Sequence, residues 1–107
     1  MKILFFGDSI TDAGRNREAP ESISGLGVGF VRVVADRLIG KTANKYEILN
    51  RGNSGNRIVD LYSRIKMDCW NYAPDVISIL IGVNDVWHEL KRKNGVRGKS
   101  FLLRAKI

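Results

Sequence analysis

The sequence is short of the residues that would tie it to disulfides, metals or membranes. Cys69 is its one cysteine, so no disulfide can close within the chain and no cysteine-rich metal site can form. The expected role of that thiol is apolar packing. His88 is the only histidine, and Pro20 and Pro74 are the only prolines. No apolar stretch is long enough to cross a bilayer, and Ile3-Leu4-Phe5-Phe6 is too short a run for a signal peptide. These absences predict a cytoplasmic protein with no membrane partner.

Acidic residues are also missing from one region. All eleven Asp and Glu lie at or before Glu89, where they balance eleven Lys and Arg. The formal charge of +7 over 107 residues therefore comes entirely from Lys91, Arg92, Lys93, Arg97, Lys99, Arg104 and Lys106. A basic segment can bind phosphates by counterion release, but the balanced body offers no basic face to orient a duplex. Residues 91–107 read as a solvated or incidental basic tail of undecided structure, and nucleic acid is not the expected partner. The length allows one domain with a modest core.

What is present is an alternation of strand and helix signals. Residues 2–6 are a continuous apolar run bounded by Gly7, the pattern of a central strand covered on both faces. Residues 12–27, rich in Gly, Ser, Asn and Pro, predict a long loop that can wall a pocket. Gly25-Leu26-Gly27-Val28-Gly29 is no phosphate loop, because no Gly-Lys-Ser/Thr follows. Phe30, Val33, Val34 and Leu38 recur at helical spacing, with Gly40 as the expected stop. Tyr46 to Asn50 predicts a second strand, and Ile58, Val59, Leu61, Tyr62 and Ile65 predict a helix running through Met67 to Trp70. Pro74 precedes the strongest strand signal, Asp75 to Ile81. Strands alternating with helices imply right-handed crossovers and a parallel sheet between helical layers.

A parallel sheet brings the turns that follow its strands to one edge. Those turns are Gly7-Asp8-Ser9, Asn53-Ser54-Gly55 and Gly82-Val83-Asn84. Each has an ordinary structural explanation: Asp8 and Ser9 can cap, Gly55 can supply a left-handed turn, and Asn84 can end a strand. Together they can do more. A serine nucleophile needs donors about 3 Å from the future oxyanion. Ser9 offers its Oγ and backbone N–H, Gly55 an N–H that no Cβ obstructs, and Asn84 a side-chain amide.

The three blocks Gly7-Asp8-Ser9-Ile10-Thr11, Asn50-Arg51-Gly52-Asn53-Ser54-Gly55 and Gly82-Val83-Asn84-Asp85 resemble those of the GDSL or SGNH hydrolases, a family of serine esterases, lipases and acylhydrolases. The resemblance covers residues 1 to about 90, read as a partial hydrolase domain. It implies a flavodoxin-like three-layer α/β/α fold with a parallel sheet, truncated here after the third strand. It implies Ser9 as nucleophile, Gly55 and Asn84 as oxyanion donors, no metal or cofactor, and short acyl esters, acylated sugars among them, as small-molecule substrates. The family's Asp-x-x-His block near the C-terminus has no counterpart in its expected place. Asp85-Val86-Trp87-His88 matches the letters but follows Asn84 immediately, so one short segment would have to supply donor, base and orienting acid together. His88 is expected to be a pocket-wall or helix-start residue, and this chain to be inactive or weakly active. A non-catalytic flavodoxin-like module that binds a small ligand in the same crevice is the alternative. A third strand left at the sheet edge would promote self-association.

Overall fold

The computed structural model describes residues 1–41 and 45–92. Its centre is β1 (Lys2–Gly7), flanked by β2 (Glu47–Gly52) and β3 (Val76–Leu80), both parallel to it, in the order β2-β1-β3. The apolar run 2–6 forms the middle strand because it can bury both faces. Leu4, Phe5 and Phe6 are 0%, 6% and 1% exposed. Alternation along the strand sends Leu4 and Phe6 one way and Phe5 the other. Leu4 and Phe6 join Leu49, Leu61 and Cys69, with Ile65 and Ile77 packed against them, under α3 (Ile58–Asp68). Phe5 joins Ile48, Val31 and Ala35 under α2 (Phe30–Lys41). The fold is thus helix, sheet, helix, three layers with two small cores, as the alternation of signals predicts.

The boundaries differ from the sequence reading where local geometry overrides composition. Gly40 does not stop α2, which runs on to Lys41. An exposed glycine in a last turn weakens a helix by only about 1 kcal/mol, too little to end it. Nor does α3 reach Trp70. It ends at Asp68, Cys69 leaves helical geometry, and Trp70–Tyr72 make a separate 3-10 turn closed by Ala73 in the left-handed region (φ 49°). The loop expected over 12–27 begins later than predicted and contains a 3-10 turn, Ile23–Leu26. Residues 9–12 form the one-turn helix α1 (Ser9–Asp12), because the Asp8 carboxylate accepts the Ile10 N–H at 3.0 Å and Asp8 O accepts the Asp12 N–H at 2.9 Å. Such side-chain caps satisfy donors that a helix start leaves open.

One buried side chain locks the loop to the sheet. Asn50 on β2, 2% exposed, donates through Nδ2 to Thr11 O (2.7 Å) and Leu26 O (2.9 Å), and its Oδ1 accepts the Gly52 N–H at 3.0 Å. Most of the basic tail, from residue 93 on, falls outside the described residues. Among the described residues no helix is long and apolar enough to cross a membrane.

Candidate active site

Parallel pairing puts the C-terminal ends of all three strands on one edge, and β1 leads directly into Ser9. In sheets of this order, ligands bind in the crevice at the switch point between the first and third strands. Ser9 follows β1, while Asn84 follows β3 in α4 (Val83–Trp87), so the two flank that crevice. Ser9 is exposed as the first residue of α1.

The turn after β2 carries Gly55 at φ 86°, a left-handed conformation, with open space where a Cβ would stand. Glycine adopts that φ without the strain other residues meet. No described residue accepts the N–H of Gly55 or of Ser9. Gly55 and Asn84 line one cavity of about 340 Å³ with Val83, Trp87 and His88. Ser9 is not among its lining residues. The structure therefore brings Gly55 and Asn84 to a common wall and Ser9 to the neighbouring strand end.

The connections between these turns run through polar side chains that sequence reading did not single out. Asp12, the last residue of α1 and 6% exposed, accepts both the N–H and the Oγ–H of Ser54 on Oδ2, each at 3.0 Å, and an Arg17 N–H at 3.1 Å. Burial pushes its carboxyl upward, but hydrogen bonds from Ser54, Arg17 and the Arg15 N–H outweigh that and hold it below the ordinary carboxylate value. Arg15, 8% exposed, reaches Gly52 O at 2.7 Å and Asn53 Oδ1 at 2.8 Å. Close contact adds to these bonds: a Cβ at Gly52 would run into the backbone of Thr11 and Asp12. The Ser9 helix and the Gly55 turn are thus held together by two buried charges and one missing side chain.

A third charge holds the other flank. Arg64 of α3 donates to Asn56 Oδ1 (2.7 Å), Arg51 O (2.9 Å), Asp68 Oδ2 (3.1 Å) and Gly7 O (3.1 Å), and lies 4.4 Å above the Phe6 ring. Asp68 also accepts Arg51 at 2.7 Å. Asn84 Nδ2 donates to Asn56 O at 3.1 Å, and Asp85, 1% exposed, accepts the Ile58 N–H at 3.1 Å. Asp12, Arg15 and Arg64 look like surface charges in sequence, and Asp85 reads there as the last residue of the third block, with no sign that it holds Ile58. The available signal was their position: Asp12 falls one turn after Ser9, and Asp85 adjoins Asn84.

His88 lies on the cavity wall, with its ring edge-on to Trp87 at 5.5 Å. It caps the end of α4 and is the first residue of one π-type turn, His88–Arg92. Among the described residues no group of three or more His, Cys, Asp or Glu gathers as a metal site would require.

A parallel sheet in flavodoxin-like order with a helical layer on each face defines a doubly wound α/β protein, a class that binds its ligands at the carboxyl edge of the sheet. The chain belongs to the GDSL-like Lipase/Acylhydrolase family, whose model matches residues 5–99. An acetylxylan esterase of Geobacillus stearothermophilus is 43% identical over 90 residues, which are 82% of this chain and 41% of that protein. The crystal structure of such an esterase superposes with a TM-score of 0.76 at 41% identity, over 87% of this chain and 43% of that one. A GDSL-like lipase from Parabacteroides merdae superposes with a TM-score of 0.82 at 46% identity, over 89% of this chain and 45% of that one. The chain spans less than half the length of these relatives.

Proposed function

We propose that these residues form the nucleophile and oxyanion half of a serine ester hydrolase site. Ser9 Oγ attacks the ester carbonyl, its proton passing to a base. The N–H groups of Ser9 and Gly55 and the Asn84 carboxamide hold the oxyanion; the alcohol leaves, and water then cleaves the acyl-enzyme. The observation that carries this reading is that Gly55 and Asn84, from turns after different strands, line one cavity, while β1 delivers Ser9 to the same edge of the sheet. The acetylxylan esterase relative favours short acyl groups on sugars as the substrate class.

Transfer of the Ser9 proton needs a base held by an acid within about 3 Å. His88 is a wall residue in this reading, because Asn84, Asp85 and His88 share one short segment whose carboxylate is already committed to the Ile58 N–H. The 107-residue chain assayed by itself is therefore expected to turn over a short-chain aryl ester about a million-fold below a complete serine hydrolase, the loss seen when a triad histidine is removed from subtilisin. Turnover at the level of a complete esterase that vanished in His88→Ala would assign the base to His88 and overturn this part of the reading.

Reaction with a fluorophosphonate probe tests the nucleophile when imidazole is added as an external base to take the Ser9 proton. Labelling that Ser9→Ala abolishes, with small-ester binding unchanged, supports the hydrolase. An unlabelled wild-type chain that still binds the ester favours a non-catalytic binding module, the reading that the absence of Ser9 from the cavity wall would then explain. We also infer that β3, the edge strand with Val76, Ile79 and Leu80 exposed, pairs with a second copy of the chain.

A further inference from the structure

The turn that carries Gly55 is closed by the Asn56 N–H donating to Asn53 O at 3.2 Å, and Asn56 then faces two ways. Its side-chain Oδ1 accepts Arg64 Nε at 2.7 Å, and its main-chain carbonyl accepts Asn84 Nδ2 at 3.1 Å. The Arg64 side chain is 14% exposed, and its other donors are committed to Gly7 O, Arg51 O and Asp68. One guanidinium therefore grips the ends of β1 and β2 and, through Asn56, the residue that holds Asn84.

A carboxamide nitrogen has two protons in one plane. Fixing one of them on the Asn56 carbonyl fixes the plane of the group and so the direction of the second, on a residue that lines the cavity with Gly55. A free asparagine at the start of a five-residue helix would sample several rotamers. A donor that must be in place before charge develops on an oxygen cannot afford that freedom.

We propose that Asn56 is a positioning residue, carrying the Arg64 anchor to Asn84 so that the second Nδ2 proton stays turned to the cavity; its consequence for catalysis rests on the reading of Asn84 as an oxyanion donor. Charge-assisted hydrogen bonds such as Arg64 to Asn56 are stronger than neutral ones, which suits an anchor.

The test compares Asn56→Ala, which removes the acceptor for Arg64, with Asn56→Asp, which keeps it. The ¹⁵N-labelled 107-residue chain gives two readouts: the pair of Asn84 Nδ2 proton resonances with their solvent exchange, and the rate of Ser9 labelling by a fluorophosphonate with imidazole added as the external base. In Asn56→Ala the two resonances converge and exchange quickens about tenfold, the change expected for one lost charge-assisted bond. Labelling slows with them, and Asn56→Asp restores both. If Asn56→Ala loses its fold, Arg64→Lys, which keeps the charge beside Asp68 but not the Nε donor, carries the same comparison. An Asn84 signal unchanged in the folded variant, or unrescued by Asn56→Asp, overturns the proposal. A moved Asn84 signal in a chain whose Ser9 never labels sinks the esterase reading and leaves the positioning contact standing. Normal labelling with an unmoved signal does the reverse.

Discussion

Asp12 shows how one side chain serves both stability and site geometry. Its carboxyl is buried, which alone would raise its pKa, yet Ser54, Arg17 and the Arg15 N–H stabilise the ionised form more. A carboxyl held below its unfolded value contributes stability that is complete above about pH 4 and is lost as the pH falls through the lower, folded value. Asp12→Asn should therefore unfold at lower denaturant than the wild type at pH 7, with the gap closing below about pH 4; urea melts at the two pH values check this. The Gly55 turn would be expected to loosen with it, since Oδ2 holds both Ser54 donors. Asn84 makes the companion prediction. Asn84→Ala removes a donor from the proposed oxyanion site and should slow imidazole-assisted fluorophosphonate labelling of Ser9 by about a hundredfold, the typical loss for one such donor. A labelling rate within twofold of wild type would remove Asn84 from the mechanism.

The strands and helices were the most legible part of the sequence, and their ends the least. The run Ile3-Leu4-Phe5-Phe6 could bury both faces only as a central strand, which is where β1 lies. Gly40 misled because composition marks a helix stop, whereas the backbone continued through one more residue at small cost. Ser9 read as a turn residue and is instead the first residue of a helix capped by Asp8, a distinction set by a 3.0 Å bond invisible in one dimension. Asn50 is the element-scale linchpin: its side chain serves the Thr11 carbonyl of α1, the Leu26 carbonyl of the loop and one N–H of its own strand. Asn50→Leu keeps the volume but strands these buried groups, each costing about 1–3 kcal/mol. A drop in unfolding free energy of about 3 kcal/mol or more is expected in denaturant melts, and a loss under 1 kcal/mol would show that the loop is held elsewhere.

At the scale of the molecule, the sheet ends on β3, whose Val-Ile-Ser-Ile-Leu sequence bears no charge or proline. Ile79 is 55% exposed, and beside it Phe6, Leu61 and Ile65 line an apolar hollow of about 170 Å³. Natural edge strands are usually guarded by lysine, proline or a bulge. Ile79→Lys should shift the chain toward monomer in sedimentation velocity at concentrations where the wild type associates. A wild type that stays monomeric at high concentration would refute pairing through this edge.

By itself the sequence determined the period of each element and the order of the three polar turns, because hydrophobic alternation and turn chemistry are local properties. It also carried the family, since three short blocks in order survive in one dimension. Only the tertiary structure decided that Asp12, Arg15, Arg64 and Asp85 tie those turns together, and that Gly55 and Asn84 share a wall on which Ser9 does not stand. Several of their partners lie far along the chain: Asp12 and Ser54 are 42 residues apart, Arg15 and Gly52 37, and Asp85 and Ile58 27. Burial, which turns such contacts from solvated surface pairs into anchors, exists only once the layers have packed.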